Sequence, residues 1–212
     1  MEGGSNRYDG KLDFTYKNNP ISIAQMKEWE DATWAAGIEE EPVMRRAGKA
    51  VAEVAEKVTK EGDSILVLAG KGKNGGDAIY AAEYIKERNV TLVKITDAQA
   101  SIKDIDEFGG ECIIDGLFGI GLNRPMEGGW KGLTEAINKK TYLNPNLEVV
   151  AVDTPSGLDG DSGEALGGLA VKATITVTFG AIKKGMLSES AKPWVGSIIA
   201  AEEVGLLPYP FK

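Results

Sequence analysis

Four short runs rich in apolar residues, Ser64 to Ala69, Val90 to Ile95, Cys112 to Asp115 and Leu147 to Val152, alternate with longer segments along the middle of the chain. The first is apolar throughout after its serine and runs into a glycine-rich stretch. That is the pattern of a strand covered on both faces, and such strands belong to parallel sheets flanked by helices. Asp77 to Arg88, with Ile79, Tyr80, Ala82 and Tyr84 as packing candidates, and Gly129 to Lys140 read as crossover helices. Two further β-rich runs follow, Ala173 to Phe179 and Gly196 to Ala201. Upstream, Ile23, Met26, Trp29 and Trp34 recur at helical spacing between Ser22 as N-cap and Gly37 as stop. Pro42 then opens a second helix whose Val43, Ala47, Ala50, Val51, Val54, Ala55 and Val58 form one apolar face, ending near Gly62. The succession predicts one α/β domain built on a mostly parallel, doubly wound sheet. It spans residues 22–212, with residues 1–21 as a flexible extension lacking sustained periodicity.

Composition narrows the chemistry. With 24 Lys and Arg against 32 Asp and Glu, a formal charge of -8 and no basic run, neither nucleic acid nor an anionic membrane is an expected partner. Cys112 is the one cysteine, so no disulfide can close within the chain, which accords with a reducing, cytoplasmic setting. The chain has no histidine, which removes every histidine-based triad and zinc motif and leaves proton transfer to carboxylates, lysine or tyrosine.

In parallel α/β sheets ligands bind at the carboxyl ends of the strands, so the loops there are the places to search. The first is Gly70-Lys71-Gly72-Lys73-Asn74-Gly75-Gly76-Asp77, whose glycines and following helix N-terminus suit a phosphate. It satisfies G-x-G-x-x-G, with Asp97 near the end of the next strand as a ribose acid. The second loop, Asp115 to Pro125, joins an acid and three glycines to Arg124, a residue able to clamp a phosphate. The third, Asp153-Thr154-Pro155-Ser156-Gly157, places an acid at a strand end before a tight turn. Taken singly, each also fits a plainer role: a glycine-rich turn, a solvated arginine, or an acid bracing its loop. Asn74, Asp115 and Ser156 together offer an amide oxygen, a carboxylate and a hydroxyl, which are donors for a hard cation.

As an ordered set these three loops resemble the YjeF N-terminal family, whose enzymatic members are NAD(P)HX epimerases. The likeness covers about Ser22 to Ala201. It implies a Rossmann-like three-layer α/β/α sandwich that interconverts the R and S epimers of hydrated NADH and NADPH, so that a partner NAD(P)HX dehydratase can repair both. It also implies a bound potassium ion and a homodimer. By resemblance, Lys73, Asn74, Gly75, Gly76 and Asp77, together with Gly119, Ile120, Gly121, Leu122, Asn123, Arg124 and Pro125, contact the nucleotide. Asp153 acts at the hydrated nicotinamide, and Asn74, Asp115 and Ser156 hold the cation. Asp153→Asn is then expected to spare the fold while cutting turnover. Two positions depart from the family's usual Asn-Asn-Gly-Gly-Asp-Gly: this chain has Lys73 for the first amide and Ala78 for the last glycine. The Arg45-Arg46 pair is also more basic than the pattern there. Two other readings stay open, a nicotinamide-dependent dehydrogenase using the glycine fingerprint with Asp97, and a non-catalytic binding or scaffold domain of the same fold.

Overall fold

The computed structural model describes residues 17–211. Six parallel strands form one sheet: β1 (Ser64–Ala69), β2 (Asn89–Lys94), β3 (Cys112–Gly116), β4 (Glu148–Val152), β5 (Ile175–Phe179) and β6 (Ser197–Ala201). Their spatial order is β2-β1-β3-β4-β5-β6. Alternation within each central strand divides its side chains between two covered faces. Ile65, Val67, Ile114, Val150 and Val177 meet helices α2 (Glu40–Val58) and α3 (Lys73–Tyr84). Leu66, Leu68, Ile113 and Val149 meet α4 (Ile102–Glu107) and α5 (Gly128–Leu143) on the other. The result is the three-layer α/β/α sandwich expected from the buried runs, with a wholly parallel sheet.

Helix α1 (Ile23–Ala35) begins at Ser22, whose hydroxyl accepts from Gln25 N while the Gln25 side chain accepts from Ser22 N, a complete capping box. It seats Met26 and Trp29 against Ile21 and Ala181. Of the expected extension, residues 1–16 lie outside the described residues. Ile21 is buried, and its N–H donates to Ile182 O at 2.9 Å.

Two boundaries differ from expectation. Helix α3 starts at Lys73, four residues before Asp77, so Gly75 and Gly76 lie inside its first turns instead of in a free loop. The cause is close packing: a side chain at Gly75 would collide with the Gly70 carbonyl, and one at Gly76 with the end of Met44. Helix α2 runs from Glu40 and stops at Val58, short of Gly62. Helix α4, with only Ile102 and Ile105 to mark its apolar side, was not legible as a helix, and neither was the four-residue α6 (Lys192–Val195).

Candidate active site

The strand order reverses between β1 and β3, because the chain leaves β1 for β2 on one side and reaches β3 on the other. A cavity of about 800 Å³ opens at the carboxyl ends of these strands. This is where a doubly wound sheet leaves its binding crevice. Met26 and Glu30 of α1 contribute to its lining, as do the start of α3, the loop after β3, Trp130 of α5, Asp153 just after β4 and Phe179 at the end of β5. Phe118 and Trp130 form an edge-to-face pair, with centroids 4.8 Å apart, that supplies an apolar wall.

The three sequence loops converge here. Lys73, Asn74, Asp77, Gly119, Ile120, Gly121, Leu122, Asn123, Arg124 and Asp153 all line the cavity. Gly75, Gly76 and Pro125 do not; the two glycines are used for helix packing. Arg124 is exposed and has no ion-pair partner among the described residues. Lys73 is held at the mouth by Glu40, 2.5 Å away, with its ammonium 5.5 Å from the centre of the Trp34 ring. The basic pair on α2 is also occupied. Arg45 binds Glu41 and covers the Tyr80 ring, and Arg46 donates to Val204 O at 2.6 Å. Asp97 is exposed outside the cavity and accepts from Gln99 N and Ala100 N in its own turn, which takes away the ribose acid of the dehydrogenase reading.

Asp115 is completely buried. Its Oδ1 accepts from Ser156 Oγ at 2.6 Å and Leu117 N at 3.2 Å, and its Oδ2 accepts from Ser156 N at 2.9 Å. Burial pushes its carboxyl up to about 6, against the opposing pull of those bonds. The Ser156 hydroxyl in turn accepts from Phe118 N at 2.9 Å, stitching the loop after β3 to the turn after β4. Asn74 reaches the same loop, since a Cβ added at Gly119 would lie 2.8 Å from Asn74 Oδ1. Glycine is what permits that approach. The Asn74 Nδ2 is buried with no hydrogen-bond partner. Asp115 has no cationic partner among the described residues, so this oxygen-rich node lacks a positive charge that a cation would supply.

Asp153 is shaped differently. It sits at φ 63, in the left-handed region, at the centre of a three-residue turn closed by Thr154 N donating to Val152 O at 2.8 Å. The matching turn after β5 uses Gly180 at φ 70. A carboxylate where glycine would be relaxed costs about 1–3 kcal/mol, a strain typical of functional sites. Its Oδ1 accepts from Lys183 Nζ at 2.5 Å and Thr178 Oγ1 at 3.2 Å, while Oδ2 accepts from no described residue and is left for the cavity. Lys183 is fully buried, and Nζ spends its remaining donors on Thr178 Oγ1 and Phe179 O.

Lys183 lies outside the three loops that the sequence singles out. Its signal in the chain is its place in the loop after β5, a central strand end like those of β1, β3 and β4. Its presence also alters the expectation for Asp153→Asn, because neutralising Asp153 would leave a buried ammonium without its counter-charge. Asp77 is 8% exposed and its carboxyl accepts no hydrogen bond from any described residue. Burial first, then the charges of Asp153, Glu30 and Glu40, hold its pKa well above the ordinary carboxylate range, with Lys73 opposing. Burial and Asp153 likewise raise that of Glu30.

Fold and site define a parallel α/β domain whose switch-point cavity is lined by carboxylates. The family model of the YjeF-related protein N-terminus matches residues 40–104 and 91–185, and the chain belongs to this family. It is 34% identical over 177 residues to a NAD(P)H-hydrate epimerase of Bordetella pertussis (strain CS), covering 73% of this chain and 75% of that one. To the NAD(P)H-hydrate epimerase of Limosilactobacillus fermentum it is 32% identical over 207 residues, covering 87% and 97%. A bifunctional NAD(P)H-hydrate repair enzyme Nnr of Gloeobacter violaceus is 34% identical over 205 residues, and there the match spans 39% of the longer relative.

Proposed function

We propose that this chain is an NAD(P)H-hydrate epimerase, an isomerase that interconverts the R and S epimers of hydrated NADH and NADPH. The observation that carries the reading is the Asp153–Lys183 pair, a strained carboxylate held by a buried lysine through one oxygen, with the other oxygen left for the cavity. Inverting the hydroxyl-bearing C6 requires the C6–O bond to break with its electron pair leaving on oxygen. The ring nitrogen lone pair then forms an iminium, and water returns from the opposite face. Asp153 places negative charge beside that developing cation and orients the returning water, while Lys183 fixes the position of the carboxylate. Phe118 and Trp130 offer the ring an apolar wall, and Lys71, Lys73 and Arg124 lie where phosphates of the nucleotide would be met.

Asn74, Asp115 and Ser156 fit a potassium ion, since a buried carboxylate lacking a cationic partner stands among neutral oxygens. Bound there, the ion would supply the charge that offsets Asp115 and so steady the two loops that Ser156 joins. The same reading takes the enzyme to work as a cytoplasmic homodimer alongside an NAD(P)HX dehydratase activity. Among the described residues no helix is long and apolar enough to cross a membrane. The test is chiral-resolving chromatography of R- and S-NADHX with purified protein. Equilibration above the spontaneous rate without oxidation of the nucleotide is expected, and an unchanged rate would leave the binding-domain reading standing.

A further inference from the structure

Of the four carboxyls that line the cavity, Glu30, Asp31, Asp77 and Asp153, the last two meet opposite surroundings. Asp153, after β4, is paired with the Lys183 ammonium. Asp77, in the second turn of α3, has no ion pair and accepts no hydrogen bond from any described residue, yet it is almost wholly enclosed. We infer that Asp77 is the general acid of this site, carried as a neutral carboxyl that delivers its proton to the departing C6 hydroxyl while Asp153 serves as the anion. The inference rests on the epimerase reading and assigns within it the proton that the leaving hydroxyl needs.

The charges facing Asp77 favour this division. Glu30 from α1, Glu40 from the start of α2 and Asp153 from the turn after β4 all oppose a further negative charge, while Lys73 works against them and Lys183 offsets the charge of Asp153 with which it pairs. Enclosure is the larger influence, since an ionised carboxylate with neither partner nor donor is costly to bury. One carboxyl is paired with an ammonium and the other is enclosed without a partner, and such a contrast of environments assigns the base and the acid. The step balances. The Asp77 proton joins the C6 oxygen as the C6–O bond breaks, so water leaves and the ring nitrogen takes the positive charge. A water on the other face then bonds to C6 and loses a proton to Asp153. Passage of that proton across the cavity to Asp77 restores the Asp153–Lys183 ion pair and the starting state.

Asp77→Asn tests the assignment, because asparagine keeps a hydrogen-bond donor but has no proton to give. We expect kcat for epimerisation to fall by ~10²-fold or more, with nucleotide affinity nearly kept, and the alkaline limb of the wild-type pH profile to vanish. A carboxyl that merely positions the substrate would leave kcat and the limb close to wild type, and that result overturns the inference. Should Asp77→Asn fail to fold, Glu30→Gln reads the same claim. Removing that facing negative charge should move the alkaline limb to lower pH, and an unmoved limb counts against Asp77. Wild-type protein that does not epimerise at all would instead sink the epimerase reading itself.

Discussion

Asp115 and Asp153 stand at the ends of adjacent parallel strands, and their surroundings set them to different work. Asp115 is saturated by three donors, has no cationic partner among the described residues and sits at the joint between two loops. Asp153 is strained, anchored by an ammonium through one oxygen and open to the cavity through the other. The difference teaches that position at a strand end brings an acid to the crevice, while neighbouring donors and charges decide whether it braces, binds a cation or reacts.

The sharpest way to break this comparison is to split the ion pair. Lys183→Met or Asp153→Asn alone should cost about 3–5 kcal/mol of stability and most of the turnover. The double variant should recover much of the stability and none of the turnover, measured by denaturant unfolding beside epimer assays. If the single variants unfold like wild type, the pair does not hold this turn.

Asp115 should answer to potassium instead. At a concentration a hundredfold above its dissociation constant, the ion would add about 2.7 kcal/mol. For a chain of this size that corresponds to roughly 5–10 °C in melting temperature. Asp115→Asn should abolish the increment, whereas Lys183→Met should keep it. A smaller effect distinguishes Asp77. A carboxyl whose folded-state pKa is raised contributes most while protonated and loses that contribution as pH rises through the raised value. Asp77→Asn removes the penalty, so its melting temperature should gain on wild type as pH rises from about 4 toward neutrality and beyond. Parallel melting curves across pH would contradict this. The smallest change belongs to Lys73→Asn. The exposed Lys73–Glu40 pair should be worth under about 1 kcal/mol, so thermal unfolding should barely move.

Much of this architecture could be read from the chain because buried parallel strands announce themselves. After its serine Ser64–Ala69 is apolar residue after residue, and Ser22 ahead of the Ile23, Met26 and Trp29 spacing marks a helix start. The first turns of α3 could not be read the same way. Gly75 and Gly76 look like loop residues, yet they are glycines because the Gly70 carbonyl and Met44 press against the helix there. Three strand-end loops led to most of the cavity lining. Lys183 remained hidden because a lysine beside another lysine looks like a solvated pair, and only the fold shows its ammonium turned inward onto Asp153. Asp77 was found as a member of a glycine-rich loop, but its lack of partners is a property of packing that no spacing reveals.

On this mechanism the cavity inverts a hydrated nicotinamide by loss and return of water at C6. Epimerisation in water enriched in oxygen-18, followed by mass spectrometry of the separated epimers, tests it most directly. Each inverted molecule should gain one solvent oxygen at the enzyme-accelerated rate while the nucleotide's oxidation state stays unchanged. Inversion without label, or label entering only at the uncatalysed rate, would contradict it.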